Sequence, residues 1–325
     1  MENFTAIDFH RTRDFGRKVN ATFEFIRQNF KPLLKSILFI VGPPVLVAAL
    51  LLGSFMNGLF LRSMRGANNP ESVEYFTSAG FWLQMVLMFV FMMVAGIMTI
   101  ATINNYIVLY GEKRSNNIEV HEVWARVRQT FWMHFFSVLF FAVLFIIAYV
   151  VFLIPMVLIT PSSPFLFFVG FTIFLVLLCY FFFSTSLVFF VQLYEQRGFF
   201  AALGRSFRLV QNKWWSTFGI IMIMYFIAGF ISYLPLIPMY VALVVSAIHS
   251  VEAGSVQQMS TFMQVFITSC FVVYYLFYIV LQSLPNVAIA FQYFNLVELK
   301  EARGLLSDID TLGQQPSLPA SDEHY

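Results

Sequence analysis

RGFFAALGRSFRLVQNKWWSTFG, residues 197 to 219, is a basic, aromatic stretch in a chain that is otherwise mostly hydrocarbon. At helical spacing Phe199, Leu203, Phe207 and Val210 share one face, with Arg205, Arg208 and Asn212 on the other. A basic amphipathic helix with aromatic residues on its apolar side belongs in the headgroup plane of a membrane. Trp214 and Trp215 then mark the entry to the hydrocarbon, where indole rings collect. The stretch reads as an interfacial helix leading into a span, not as a catalytic loop. A nucleic-acid surface would need a larger excess of positive charge and no matching apolar stripe, so no nucleic-acid partner is expected.

The composition agrees. Of 325 residues, 59% are hydrophobic and only 11% charged, against about 25% charged in a soluble domain. A spanning helix needs about 20 mostly apolar residues to cross roughly 30 Å of hydrocarbon. Six segments qualify: 33–61, 79–110, 131–157, 165–194, 215–249 and 262–295. Gly42-Pro43-Pro44 should kink the first, because proline removes helix hydrogen bonds. Pro235 and Pro238 interrupt the fifth, which is either a kinked span or a span followed by a short re-entrant piece. "GANNPESVE" at 66–74 reads as a turn-rich loop. Three regions result: an N-terminal segment at 1–32 without the apolar run of a cleavable signal, a membrane domain at 33–295, and a tail at 296–325.

Orientation follows from where the positive charge lies. All but Arg62 and Arg65 of the 19 lysines and arginines fall in the N-terminal segment, at the start of the first span (Lys35), in the 111–130 and 195–214 loops, or in the tail. Basic loops stay cytoplasmic. The expectation is a multi-pass protein of the bacterial inner membrane with both termini in the cytoplasm.

The opening stretch has two relatives. "VNATFEFIRQNFKPLLKS" at 19–36 and "VHEVWARVRQTFWMHFFS" at 120–137 are also basic, aromatic and amphipathic, and each leads into a span. The stripes are Val19, Phe23, Ile26 and Phe30 in the first, and Val120, Val123 or Trp124, Val127 and Phe131 in the second. Gln28, Gln129 and Gln211 hold the same place before the membrane entry. The expected fold is therefore an all-α integral membrane protein. Its six transmembrane helices form three pseudo-repeated hairpins, each preceded by a cytoplasmic interfacial amphipathic helix. Arg27, Gln28, Arg128, Gln129, Arg205, Arg208 and Gln211 would contact headgroups or a protein partner.

"GFFAALGRSFRLVQNKWWSTFGI" resembles the membrane domain found fused to some bacterial glycerophosphodiester phosphodiesterases, and related stand-alone multi-pass proteins of unknown function. The residues that carry the resemblance are Ala202, Leu203, Ser206, Phe207 and the span-marking Trp214. The catalytic domain of those enzymes, with its metal-binding carboxylates and histidines, has no counterpart here. The resemblance implies a fold and no activity.

The chain offers little chemistry. An intramembrane ionisable residue is a functional site by default, and the six cores hold none. None of the histidines (His10, His121, His134, His249 and His324) sits in a metal-binding pattern, and His134 lies at the mouth of the third span. Cys179 and Cys270 lie in apolar segments and read as buried small hydrophobes. No enzyme, cofactor or metal is expected. What remains polar inside is uncharged: Thr99, Thr102, Asn104 and Asn105; Ser184, Thr185, Ser186 and Gln192; Gln282, Ser283, Asn286 and Gln292 beside Pro285. These groups hydrogen-bond between helices or, through Asn104, Asn105, Ser184, Ser186, Gln282 and Asn286, line a polar cavity. Two functions follow. One is a scaffold or accessory subunit of a larger envelope complex such as protein export or membrane insertion machinery, with membrane lipids and other membrane proteins as partners. The other is a transporter or lipid-handling protein. The acidic tail from Arg303 reads as disordered or as a docking segment.

Overall fold

The computed structural model describes residues 5–65, 70–159, 163–252, 260–302, 304 and 306. Among these the regular structure is entirely helical. Residues 296–301 of the expected tail belong to the last helix, with Leu296 and Val297 buried; beyond 306 the tail lies outside the described residues.

After an irregular segment at 5–14, α1 (Phe15–Ile40) is N-capped by Asp14, whose carboxylate accepts from the Arg17 N–H. The expected kink at Gly42-Pro43-Pro44 is a full break: α1 ends at Ile40 and α2 (Gly42–Arg65) begins anew. Prolines fit the first turn of a helix, where the missing N–H costs nothing. The same preference corrects the loop at 66–74, because α3 (Pro70–Thr77) starts on Pro70. Ser78 caps α4 (Ala79–Lys113) by accepting from the Phe81 N–H. Next come α5 (Val120–Ile159), α6 (Pro164–Thr185), α7 (Val188–Tyr194) and α8 (Phe199–Val210). The fifth apolar segment is α9 (Trp214–Ser232), a 3₁₀ turn at Leu234–Leu236, and α10 (Ile237–Glu252); α11 (Thr261–Leu281) and α12 (Ser283–Glu301) follow.

Six candidate spans result: α2, α4, α5, α6 with α7, α9 with α10, and α11 with α12. The chain is a multi-pass helical membrane protein.

The three amphipathic stretches fold in three different ways. Residues 19–36 lie inside α1. Residues 120–137 run without a break into the third span, as one 40-residue helix about 60 Å long. Only 199–210 is a separate short helix, α8. The chain leaves the helix only after Gln211, where Asn212 takes left-handed backbone, with φ 67°, which asparagine tolerates; the corresponding Asn29 and Thr130 stay helical.

The apolar stripes also differ from expectation. On α1, Phe23 and Phe30 are exposed, and the opposite face (Lys18, Thr22, Phe25, Asn29) is buried. On α8, Phe199, Ala202, Leu209 and Val210 are buried against α6, α7 and α12. The face of α8 meant for lipid covers protein.

Packing is uneven. At the end carrying the termini, Phe9 of the irregular segment stacks on Phe294, with ring centroids 4.9 Å apart, and meets Phe25, Tyr110 and Phe291. Away from that end α2 and α11 approach closely. A Cβ on Gly53 would lie 2.8 Å from the Thr268 side chain, and Asn57 donates to the Gln264 carbonyl and Thr268 Oγ1, both at 3.0 Å. Small residues and interhelical amides are how helices associate where burial against lipid supplies no driving force. The α5–α6 hairpin is different: no described residue in 138–157 or 165–182 is buried. Its near part still touches the bundle through Phe141 and Leu144, and its far half is uncovered.

Candidate functional site: an intramembrane cavity

Two spans break where their polar residues cluster. Pro285 has no N–H to give the Leu281 carbonyl, so α11 stops there and α12 restarts past Gln282. The Asn286 side-chain amide donates to the Gln282 carbonyl at 2.7 Å, and Ser283 Oγ donates to that of Val280 at 2.7 Å. In the fourth span, Thr185 Oγ1 donates to the Phe181 carbonyl at 2.9 Å and Ser186 Oγ to that of Phe183 at 2.8 Å. Serine and threonine back-bonding of this kind bends helices, and α6 gives way to α7 after Ser186.

The breaks face a cavity of about 840 Å³ enclosed by α4, α5, α6, α7, α9, α11 and α12. Its walls are apolar and aromatic, with Phe141, Phe182, Ile221, Tyr225 and Ile279 among them. Its polar groups are Thr99 and Asn104 from α4, Thr185 and Ser186 from the first break, and Gln282 and Asn286 from the second. No lining residue is charged. Asn104 is 3% exposed and makes no side-chain hydrogen bond among the described residues. Its amide opens on the cavity and is available to an occupant.

Of the residues expected in a polar cavity, Asn104, Ser186, Gln282 and Asn286 meet here. Asn105 does not: it turns to α5 and donates to Thr130 Oγ1 at 2.8 Å. Ser184 does not either; it is buried, its hydroxyl has no partner, and its carbonyl accepts from Ser206 Oγ at 2.6 Å. Cys270 is buried as expected, whereas Cys179 is exposed on α6 and lines the cavity. His134 is fully buried, its Nδ1 bonded to the Thr130 carbonyl and its ring stacked on Phe189.

A second, polar cavity of about 930 Å³ opens beside the N-terminal segment. Gln129 and Asn105 reach it; of its arginines, Arg126 pairs with Glu112 and Arg197 with Glu195, while Arg114 is exposed. Of the other surface residues, Arg27, Arg128 and Arg208 are exposed. Gln28 accepts from the Tyr110 hydroxyl at 3.3 Å, and the Gln211 carbonyl accepts from Lys300 at 3.0 Å. Arg205 is not at a headgroup surface. It is 11% exposed and pairs with Glu195 at 3.0 Å and with Glu301. Glu195 also accepts from the Tyr293 hydroxyl at 2.7 Å. Burial disfavours the Glu195 carboxylate, yet Tyr293 and Arg205 outweigh it and hold its pKa below the ordinary value.

The sequence reading missed Lys18. It counts there among the cytoplasmic charges, but it is 2% exposed. Its Nζ donates to Ser216 Oγ and Gln292 Oε1, both at 2.7 Å, and Gln292 donates on to Thr217 Oγ1 at 2.8 Å. Burial, with Lys213 nearby, pushes the Lys18 ammonium down to about 8. The spacing of Lys18, Thr22, Phe25 and Asn29 was the available sign of a buried second face.

Compared with protein-family models, with curated proteins and with solved structures, the chain matches none. The class it belongs to therefore rests on the helices themselves.

Proposed function

We propose that this protein binds an amphiphile with an uncharged polar head inside the bilayer, and so handles a lipid rather than transforming it. The cavity between the broken spans carries the reading. Its volume is in the range of ligand sites, roughly 300–1,000 Å³. Apolar walls suit a hydrocarbon chain, and amides and hydroxyls without a charge suit a hydroxyl, ester or amide head. Asn104 supplies donors and an acceptor with no other partner. The lining holds one thiol and neither histidine nor carboxylate to activate it, which favours binding over catalysis.

In the same reading the chain sits in the bacterial inner membrane with both termini cytoplasmic, supported by the charge asymmetry. A second reading, an accessory subunit of an export or insertion complex, draws support from the α5–α6 hairpin, whose far half is unburied and open to another membrane protein.

Purification in mild detergent, with chemical identification of what is retained, separates the two. About one neutral amphiphile per chain is expected. A stoichiometric membrane protein and no lipid would replace this reading with the second.

A further inference from the structure

Away from that cavity, and sharing no lining residue with it, lies a third one of about 720 Å³ between α2, α3, α10 and α11. It sits at the end of the bundle opposite the termini. Its walls are apolar, among them Met56, Phe60, Met239, Leu243 and Phe271. One lining residue is charged, Arg62, two positions past the end of the apolar stretch of α2 at Phe60. That places the guanidinium at headgroup depth, with hydrocarbon-compatible walls beside it.

The guanidinium is held in place without being neutralised. Its Nη1 donates to the Gly58 carbonyl at 2.8 Å, and the group lies 3.3 Å above the centre of the Tyr75 ring. Gly58 leaves the space for this: a Cβ there would come within 2.9 Å of the Tyr75 hydroxyl and 3.2 Å of Arg62 Nη1. Arg62 Nε is buried with no hydrogen-bond partner, and no carboxylate pairs with Arg62 among the described residues. Buried nitrogens of this kind are normally satisfied, and a guanidinium edge matches a carboxylate or phosphate. Arg62 also stands with Arg65 as an exception to the basic asymmetry of the chain. A cation on this side fits a role in holding an anion.

We propose that the groove is a binding site for an anionic amphiphile, its carboxylate or phosphate on the Arg62 edge and its acyl chain along Met56, Phe60, Leu243 and Phe271. The site is independent of the neutral-head cavity.

The test uses the full chain in detergent and native mass spectrometry with three probes: oleate, phosphatidylglycerol and phosphatidylcholine. At least one anionic probe should bind about 10-fold more tightly than phosphatidylcholine. Retention of oleate alone identifies a carboxylate head, and of phosphatidylglycerol alone a phosphate head. Arg62→Gln should abolish the preference. Leu243→Trp should reduce anion-probe binding by about 10-fold while leaving Arg62 in place, which guards against a misfolded Arg62 variant. Gly96→Leu, in the other cavity, should change neither. Equal binding of all three probes by the wild type, or an unchanged preference in a folded Arg62→Gln protein, would overturn the proposal.

Discussion

Lys18 is the residue whose placement departs furthest from its chemistry. A lysine is almost never fully buried unless paired, and this one has neutral partners only, Ser216 and Gln292. They tie the start of α1 to α9 and α12, which closes the terminal end of the bundle. The folded ammonium titrates near 8 against an ordinary 10.5. Below the lower value both folded and unfolded chains hold the proton, and the cost of burying the charge is fully present. Between the two values the folded chain has released it and the unfolded chain has not. Stability therefore rises with pH across that window. Thermal unfolding in detergent should show the wild type gaining on Lys18→Met from pH 8 to 10. Parallel curves would mean that water reaches the ammonium. Composition placed Lys18 among the solvated charges, because only its helical spacing with Thr22, Phe25 and Asn29 marks it as facing other helices rather than water.

At the scale of elements, α8 shows what periodicity can and cannot reveal. Its helical character and apolar face were legible from Phe199, Leu203, Phe207 and Val210. What that face meets was not, because lipid and the flanks of α6, α7 and α12 are equally apolar to the stripe. The partner of Arg205 was also hidden, since Glu301 lies 96 residues away. The two arginines of α8 consequently do different work. Removing Arg205 takes from Glu195, 6% exposed, the guanidinium that ties it to α8, with Arg197 and Tyr293 still beside it. Arg205→Gln should cost about 3 kcal/mol, and adding Glu195→Gln should recover much of it through coupling. Arg208 is exposed, so Arg208→Gln should stay within about 0.5 kcal/mol. Chemical unfolding of the three variants checks this; equal effects of the two single substitutions would remove the clamp. Of the helix breaks, the one at Pro285 was marked by its proline, whereas the break after Ser186 in the fourth span was not expected; four of the six residues named for a cavity line it. Asn105 and Ser184 failed because adjacent helical positions point about 100° apart, and rotation about the axis is set by packing.

For the whole molecule, apolar length and charge asymmetry carried the number of spans and the proposed orientation. A cysteine at Val73, exposed on α3, should react with an impermeant reagent from outside the cell, and one at Arg128 only from the cytoplasm. The reverse pattern would invert the topology. The central claim is that the cavity between the broken spans holds a neutral amphiphile. Gly96 gives it a clean test: it lines the cavity, and a Cβ there would meet nothing within 4 Å. Gly96→Leu should therefore fold normally, gaining up to about 1 kcal/mol of helix propensity, while filling the space an acyl chain would use. Native mass spectrometry of wild type and Gly96→Leu from the same membranes should show the retained neutral amphiphile reduced about 10-fold in the variant at equal or higher melting temperature. The same occupancy in both proteins would contradict the account, because the amphiphile would then be bound elsewhere.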